Sequence, residues 1–172
     1  MTEKDVLVIA SLLVTPSISS SLAKIDLSGN ISIGSIGVIA LAHALRNNST
    51  VTELDLSDNN LDDASGVAIA ECLSSSSAQC GLQSLYLKGN HFGPEVGQAF
   101  ANSLQVNTSL TTLFLGSNEL GDSGVSAIIN VLASHHSNLH TLDVGDNQIT
   151  PTASASEGGA IRVIAEALRN NS

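Results

Sequence analysis

VTELDLSDN (Val51–Asn59) is the stretch that decides the reading of this chain. Four others share its frame: LAKIDLSGN (Leu22–Asn30), LQSLYLKGN (Leu82–Asn90), LTTLFLGSN (Leu110–Asn118) and LHTLDVGDN (Leu139–Asn147). All five read L-x-x-L-x-L-x-x-N, with only Val or Ile as variants. They start at 22, 51, 82, 110 and 139, a period of 28–31 residues. Self-similarity at such a period marks a repeat architecture, in which neighbouring units bury each other's apolar faces.

Each segment is followed by a helical pattern ending in a small or apolar residue with Leu three later: Ala42/Leu45, Ala70/Leu73, Ala101/Leu104, Ile129/Leu132 and Ala165/Leu168. Ala10/Leu13 repeat that ending, so the chain opens with a helix before the first strand. A glycine near each helix start (Gly37, Gly66, Gly97, Gly124, Gly159) reads as the loop into the helix or its first turn. The expected layout is one domain over 1–172. An N-terminal helix and loop occupy 1–21, and repeats lie at about 22–50, 51–81, 82–109, 110–138 and 139–172.

In a strand, alternate residues face opposite sides. The columns 22/51/82/110/139, 25/54/85/113/142 and 27/56/87/115/144 therefore face the helices, and the residues between them face out. Parallel strands lie about 4.8 Å apart and helices are about 10 Å across, so the stack curves with the sheet on its concave side. The Asn column (Asn30, Asn59, Asn90, Asn118, Asn147) stands where each strand turns away. A side-chain amide there can satisfy main-chain groups left unpaired at the bend.

These motifs resemble the leucine-rich repeat family, in its long-repeat, intracellular, ribonuclease-inhibitor-like subtype, and the resemblance covers nearly the whole chain. It implies an α/β fold: a right-handed solenoid, a horseshoe segment with a parallel β-sheet on the concave face and α-helices on the convex face. It also implies a non-catalytic scaffold that recognises another protein. Two alternatives come with it: a GTPase-activating protein resembling the Ran activator, and the ligand-sensing repeat region of a NOD-like receptor. An activator often supplies an arginine to its partner's transition state. The open columns here hold no arginine, and their bases are Lys24 and Lys88.

Composition narrows the function. The 172 residues are 42% apolar but only 2% aromatic, so the core is aliphatic. Sixteen acids against six bases give a net charge of −10. Such a chain is not expected to bind nucleic acid or an anionic membrane. No apolar run approaches the roughly 20 residues of a membrane span. Glu3 and Asp5 stand where a signal peptide carries positive charge, and two cysteines make no disulfide framework. The expected location is cytoplasmic. The sequons at Asn30, Asn48 and Asn107 are then expected to go unused.

The central open column reads Asp26, Asp55, Tyr86, Phe114, Asp143. Two aromatics side by side with acids on both flanks have the composition of an interaction hot spot. The expected partner-binding residues are Asp26, Glu53, Asp55, Tyr86, Lys88, Phe114, His140 and Asp143, and the expected partner is a basic protein.

Other candidates are weaker. Asp26 and Asp55 are spaced like an acid/base pair but have no pocket and no third ligand. Asp58–Asp63 imitates a calcium loop, then fails, because Asp63 stands where the turn glycine belongs and Ile69 where the bidentate Glu belongs. His135, His136 and His140 cluster without completing a ligand set. Cys72 reads as a small packing residue and Cys80 as a second free thiol. No phosphate loop or nucleophile elbow is present, so no catalytic residue, metal or cofactor is expected. Pro151–Gly158 reads as a surface loop. The apolar opening helix and the last helix (Ile161–Arg169) lack covering neighbours, which points to a piece of a longer array or to self-association through the chain ends.

Overall fold

In a computed structural model, described for residues 1–15, 21–74, 80–134 and 137–150, each repeat begins as a strand of three residues. The order is α1 (Glu3–Leu13), β1 (Lys24–Asp26), α2 (Ser35–Leu45), β2 (Glu53–Asp55), α3 (Asp63–Leu73), β3 (Ser84–Tyr86), α4 (Pro94–Leu104), β4 (Thr112–Phe114), α5 (Gly121–Ser134) and β5 (Thr141–Asp143). The strands form one parallel sheet in chain order, and equal positions of the repeats pair: Ile25 with Leu54, Leu54 with Leu85, Leu85 with Leu113, Leu113 with Leu142. The ladder runs past the strands, with Leu27, Leu56, Leu87 and Leu115 each donating N–H to the next repeat's backbone.

The core lies between sheet and helices. Leu54, Leu85, Leu113, Leu56, Leu87 and Leu115 from the sheet meet Leu41, Ile69, Phe100 and Ile128 from the helices, all buried. Two of the three phenylalanines, Phe92 and Phe100, are in this core. Local chemistry marks the starts of α3 and α4. The Asp62 carboxylate accepts from Ser65 N at 3.1 Å, and Pro94 opens α4. Asp62 is held below its usual pKa. Burial pushes it up, but hydrogen bonds from the Ser35 hydroxyl and from Ser65 outweigh that.

The helical glycines lie in first turns, but their role is contact between helices rather than loop formation. A Cβ on Gly97 would come within 2.5 Å of the Gly124 Cα on α5, and one on Gly66 within 2.7 Å of Val96 Cγ2 on α4. On α1, Val6, Ala10 and Leu13 are buried, while Leu7, Val8 and Leu12 are exposed. Among the described residues no helix is long and apolar enough to cross a membrane. The expectations for His135, His136, Pro151–Gly158, Gly159 and Ile161–Arg169 lie outside the described residues.

Candidate functional site

The pleat sends the middle residue of β1, β2, β3 and β4 inward and leaves the two flanking ones outside. This creates a row across the open face in which Asp26 pairs with Asp55, Asp55 with Tyr86, Tyr86 with Phe114, and Phe114 with Asp143. The Tyr86 and Phe114 rings touch, with centroids 5.2 Å apart and planes tilted by 37°. Both residues remain half-buried, so the contact uses one side of each ring and leaves surface open.

The three aspartates of the row turn back on their own chain. Asp26 Oδ1 accepts from Ser28 N (3.0 Å) and Ser28 Oγ (2.7 Å). Asp55 Oδ1 accepts from Ser57 N at 2.9 Å, and Asp143 Oδ1 from Gly145 N at 2.9 Å. These bonds fix the strand-to-turn junction and keep one carboxylate oxygen of each residue in place. The Ser28 hydroxyl, and then the Ser28 N–H, hold Asp26 below the usual carboxylate range.

In the neighbouring column Lys24 Nζ meets Glu53 Oε1 at 2.8 Å. That contact raises the Lys24 pKa and ties up Glu53 within the chain. Lys88 is exposed on the other side of the row. His140 is exposed one residue before β5, and its N–H donates to the Thr111 carbonyl. Seven of the eight residues picked from the sequence thus stand at outward positions of the sheet, with His140 just before β5, although Glu53 and the aspartates already have partners in the chain.

The turn below the row is built by the asparagine column. Asn90 is the clearest case. Its Nδ2 donates to the carbonyls of Leu56 and Leu87, each at 3.0 Å, and its Oδ1 accepts from Asn59 N (3.2 Å) and Leu61 N (3.0 Å). Asn59, Asn118 and Asn147 make the same kind of bridge and are buried. Asn30, at the first turn, is half-buried, and its Oδ1 accepts from the Met1 amino group. The residue just before each asparagine is left-handed: Gly29 (φ 67°), Asp58 (57°), Gly89 (69°), Ser117 (55°) and Asp146 (53°). That column forms the turn out of each strand.

Some features escaped the sequence reading. Asn48 and Asn107, seen there as unused sequons on loops, cap the helix-to-strand turns. Asn48 Oδ1 accepts from Val51 N at 2.8 Å, and Asn107 Oδ1 from Leu110 N at 2.8 Å. The available signal was the spacing Asn-x-Ser/Thr followed by the first strand apolar residue, present at both places. In the calcium-like stretch, Asn59 belongs to the ladder, Asp62 caps α3 and Asp63 Oδ1 accepts from Gly93 N at 2.6 Å. On the strand-to-helix edge the His91 ring bridges Asn60 Oδ1 (2.8 Å) and Glu119 Oε1 (2.9 Å) of the adjacent repeats.

Comparison with known proteins agrees with this geometry. A family model described as "Leucine Rich repeat" matches residues 47–70, 106–128 and 135–153. The mouse (Mus musculus) NACHT, LRR and PYD domains-containing protein 12 is 41% identical over 106 residues, covering 62% of this chain and 10% of that protein. Mouse NACHT, LRR and PYD domains-containing protein 14 is 33% identical over 135 residues, 78% of this chain and 13% of the relative. The chain thus spans about a tenth of the length of the curated relatives it matches. Among solved structures, the leiomodin-1 actin-binding site 2 superposes with TM-score 0.73 at 20% identity, covering 97% of this chain and 87% of the other. The tropomodulin C-terminal domain of Caenorhabditis elegans gives TM-score 0.73 at 18% identity, covering 97% and 93%.

Proposed function

The chain belongs to the leucine-rich repeat family, and on that premise we propose that it is a non-catalytic recognition module whose open sheet face holds a basic protein partner. The observation that supports this reading is the row Asp55–Tyr86–Phe114–Asp143, two touching aromatic rings with an acid on each side. A lysine or arginine of the partner would lie over the exposed ring surface, where the quadrupole attracts it, with the flanking carboxylates adding charge. The net charge of −10 steers a basic partner toward the chain in the same sense.

The test is capture of binding proteins from native cell extract by three forms of the chain: wild type, Tyr86→Ala/Phe114→Ala, and Asp55→Asn/Asp143→Asn. The asparagines keep an acceptor oxygen for the Ser57 and Gly145 amides while removing charge. A partner held by wild type, lost with the aromatic variant and weakened by about tenfold with the asparagine variant at low salt supports the reading. Equal retention by all three sinks it.

A second reading is favoured by the relatives named above: the face serves as the sensing part of a larger receptor with NACHT and PYD regions. The binding chemistry is the same. The two readings differ in whether occupancy alters a covalently attached nucleotide-binding region.

A further inference from the structure

The two cysteines of the chain come together at the end of α3 and the entry to β3. Cys72 Sγ and Cys80 Sγ are 4.0 Å apart, and both are free thiols. Cys72 is buried and Cys80 half-buried, so a small oxidant reaches Cys80 first. The Cys80 carbonyl is anchored to the next repeat by the Ser109 hydroxyl at 3.3 Å, and Cys72 is part of a packed helix, so the two thiols face each other from positions the fold holds.

We propose that Cys72 and Cys80 form a redox modification site, in which Cys80 is the peroxide-reactive thiol and Cys72 the resolving thiol of a reversible disulfide. The Cys80 thiolate attacks one oxygen of a peroxide. The O–O bond breaks, hydroxide leaves and takes up a proton, and Cys80 becomes a sulfenic acid. Cys72 then gives up its S–H proton as its sulfur attacks the Cys80 sulfur. The S–O bond breaks, water leaves and the S–S bond forms. Two thiols lose two electrons in total, and one peroxide becomes two waters.

The electrostatics divide the roles the same way. The Cys72 S–H donated to Cys80, aided by the Leu82 N–H and working against burial, draws the Cys80 thiol down to about 7. That same contact first, and burial second, hold Cys72 well above the usual thiol range. Since the thiolate is the nucleophile, Cys80 should be alkylated at least about tenfold faster than Cys72 at neutral pH.

The test treats the whole chain with hydrogen peroxide, then denatures it, alkylates it and maps it by mass spectrometry, with and without later dithiothreitol. The expected product has lost two hydrogens, has no alkylatable thiol, and gives one peptide pair joining residues 72 and 80 that dithiothreitol separates. In Cys72→Ala the oxidation should stop at a Cys80 sulfenic acid that dimedone captures. In Cys80→Ser, which leaves the buried helix position untouched, Cys72 should stay reduced. Two results would overturn the proposal: a wild-type chain whose two cysteines both remain alkylatable, or one in which Cys80 is over-oxidised while Cys72 stays a free thiol.

Discussion

Asn90 holds four main-chain groups from two repeats with a single amide, and one of them, the Leu87 carbonyl, also accepts from Asn118 Nδ2 at 3.0 Å. Asn90→Ala would leave the other three, Leu56 C=O, Asn59 N–H and Leu61 N–H, without that partner. At about 1–3 kcal/mol for each orphaned group, less what entering water recovers, the cost should be about 3–5 kcal/mol. Asn30→Ala, at the half-buried first turn, should cost about 1 kcal/mol. Urea denaturation of the two variants checks the order, and equal losses would mean the ladder is not what holds the turns. The asparagine column was legible because one residue type recurs at one phase. The turning-back of Asp26, Asp55 and Asp143 onto their own backbone was not. Alternation tells which face a side chain leaves from, and says nothing about where a flexible carboxylate settles.

The helices and strands were legible from apolar spacing, yet the reason for the glycine at each helix start was not. Glycine in a sequence signals a break or a turn with equal force whether the need is conformational or steric. Only the packed pair shows that the Gly97 hydrogen faces the α5 backbone, with the Gly124 Cα 2.5 Å from where a Cβ would sit. Backbone cannot swing aside as a side-chain tip can. Gly97→Ala should therefore part α4 from α5 and cost about 3 kcal/mol. Gly29→Ala serves as a control for conformation alone, since it has φ +67° and nothing within 4 Å of an added Cβ. Its cost should be about 1 kcal/mol. Thermal denaturation followed by circular dichroism separates the two, and a loss at Gly97 no larger than at Gly29 would contradict the close-approach explanation.

For the molecule as a whole, charge is the term spread over every repeat. With sixteen acids and six bases, self-repulsion opposes the folded stack. Salt shortens its reach, from about 30 Å at about 0.01 M to about 8 Å at about 0.15 M. The urea midpoint should rise over that interval. The exposed Lys24–Glu53 pair weakens under the same change, but such pairs contribute little, so the net sign stays positive. A midpoint that falls with added salt would show that local ion pairing outweighs the overall acidity.

The repeat, the in-register parallel sheet, the inward leucine columns, the asparagine turns and the adjacency of Tyr86 and Phe114 are all readable from the order of the residues. All of these follow from one phase counted along a period of 28–31 residues, and stacking brings equal phases together. Contacts between different phases emerge from the folded packing. Cys72 meets Cys80 because the end of α3 lies beside the entry to β3. Gly97 meets Gly124 because two helices approach to backbone contact, and His91 settles between Asn60 and Glu119 along the edge. These contacts depend on distances across the layer and on how chains bend at loops, and no one-dimensional period encodes either.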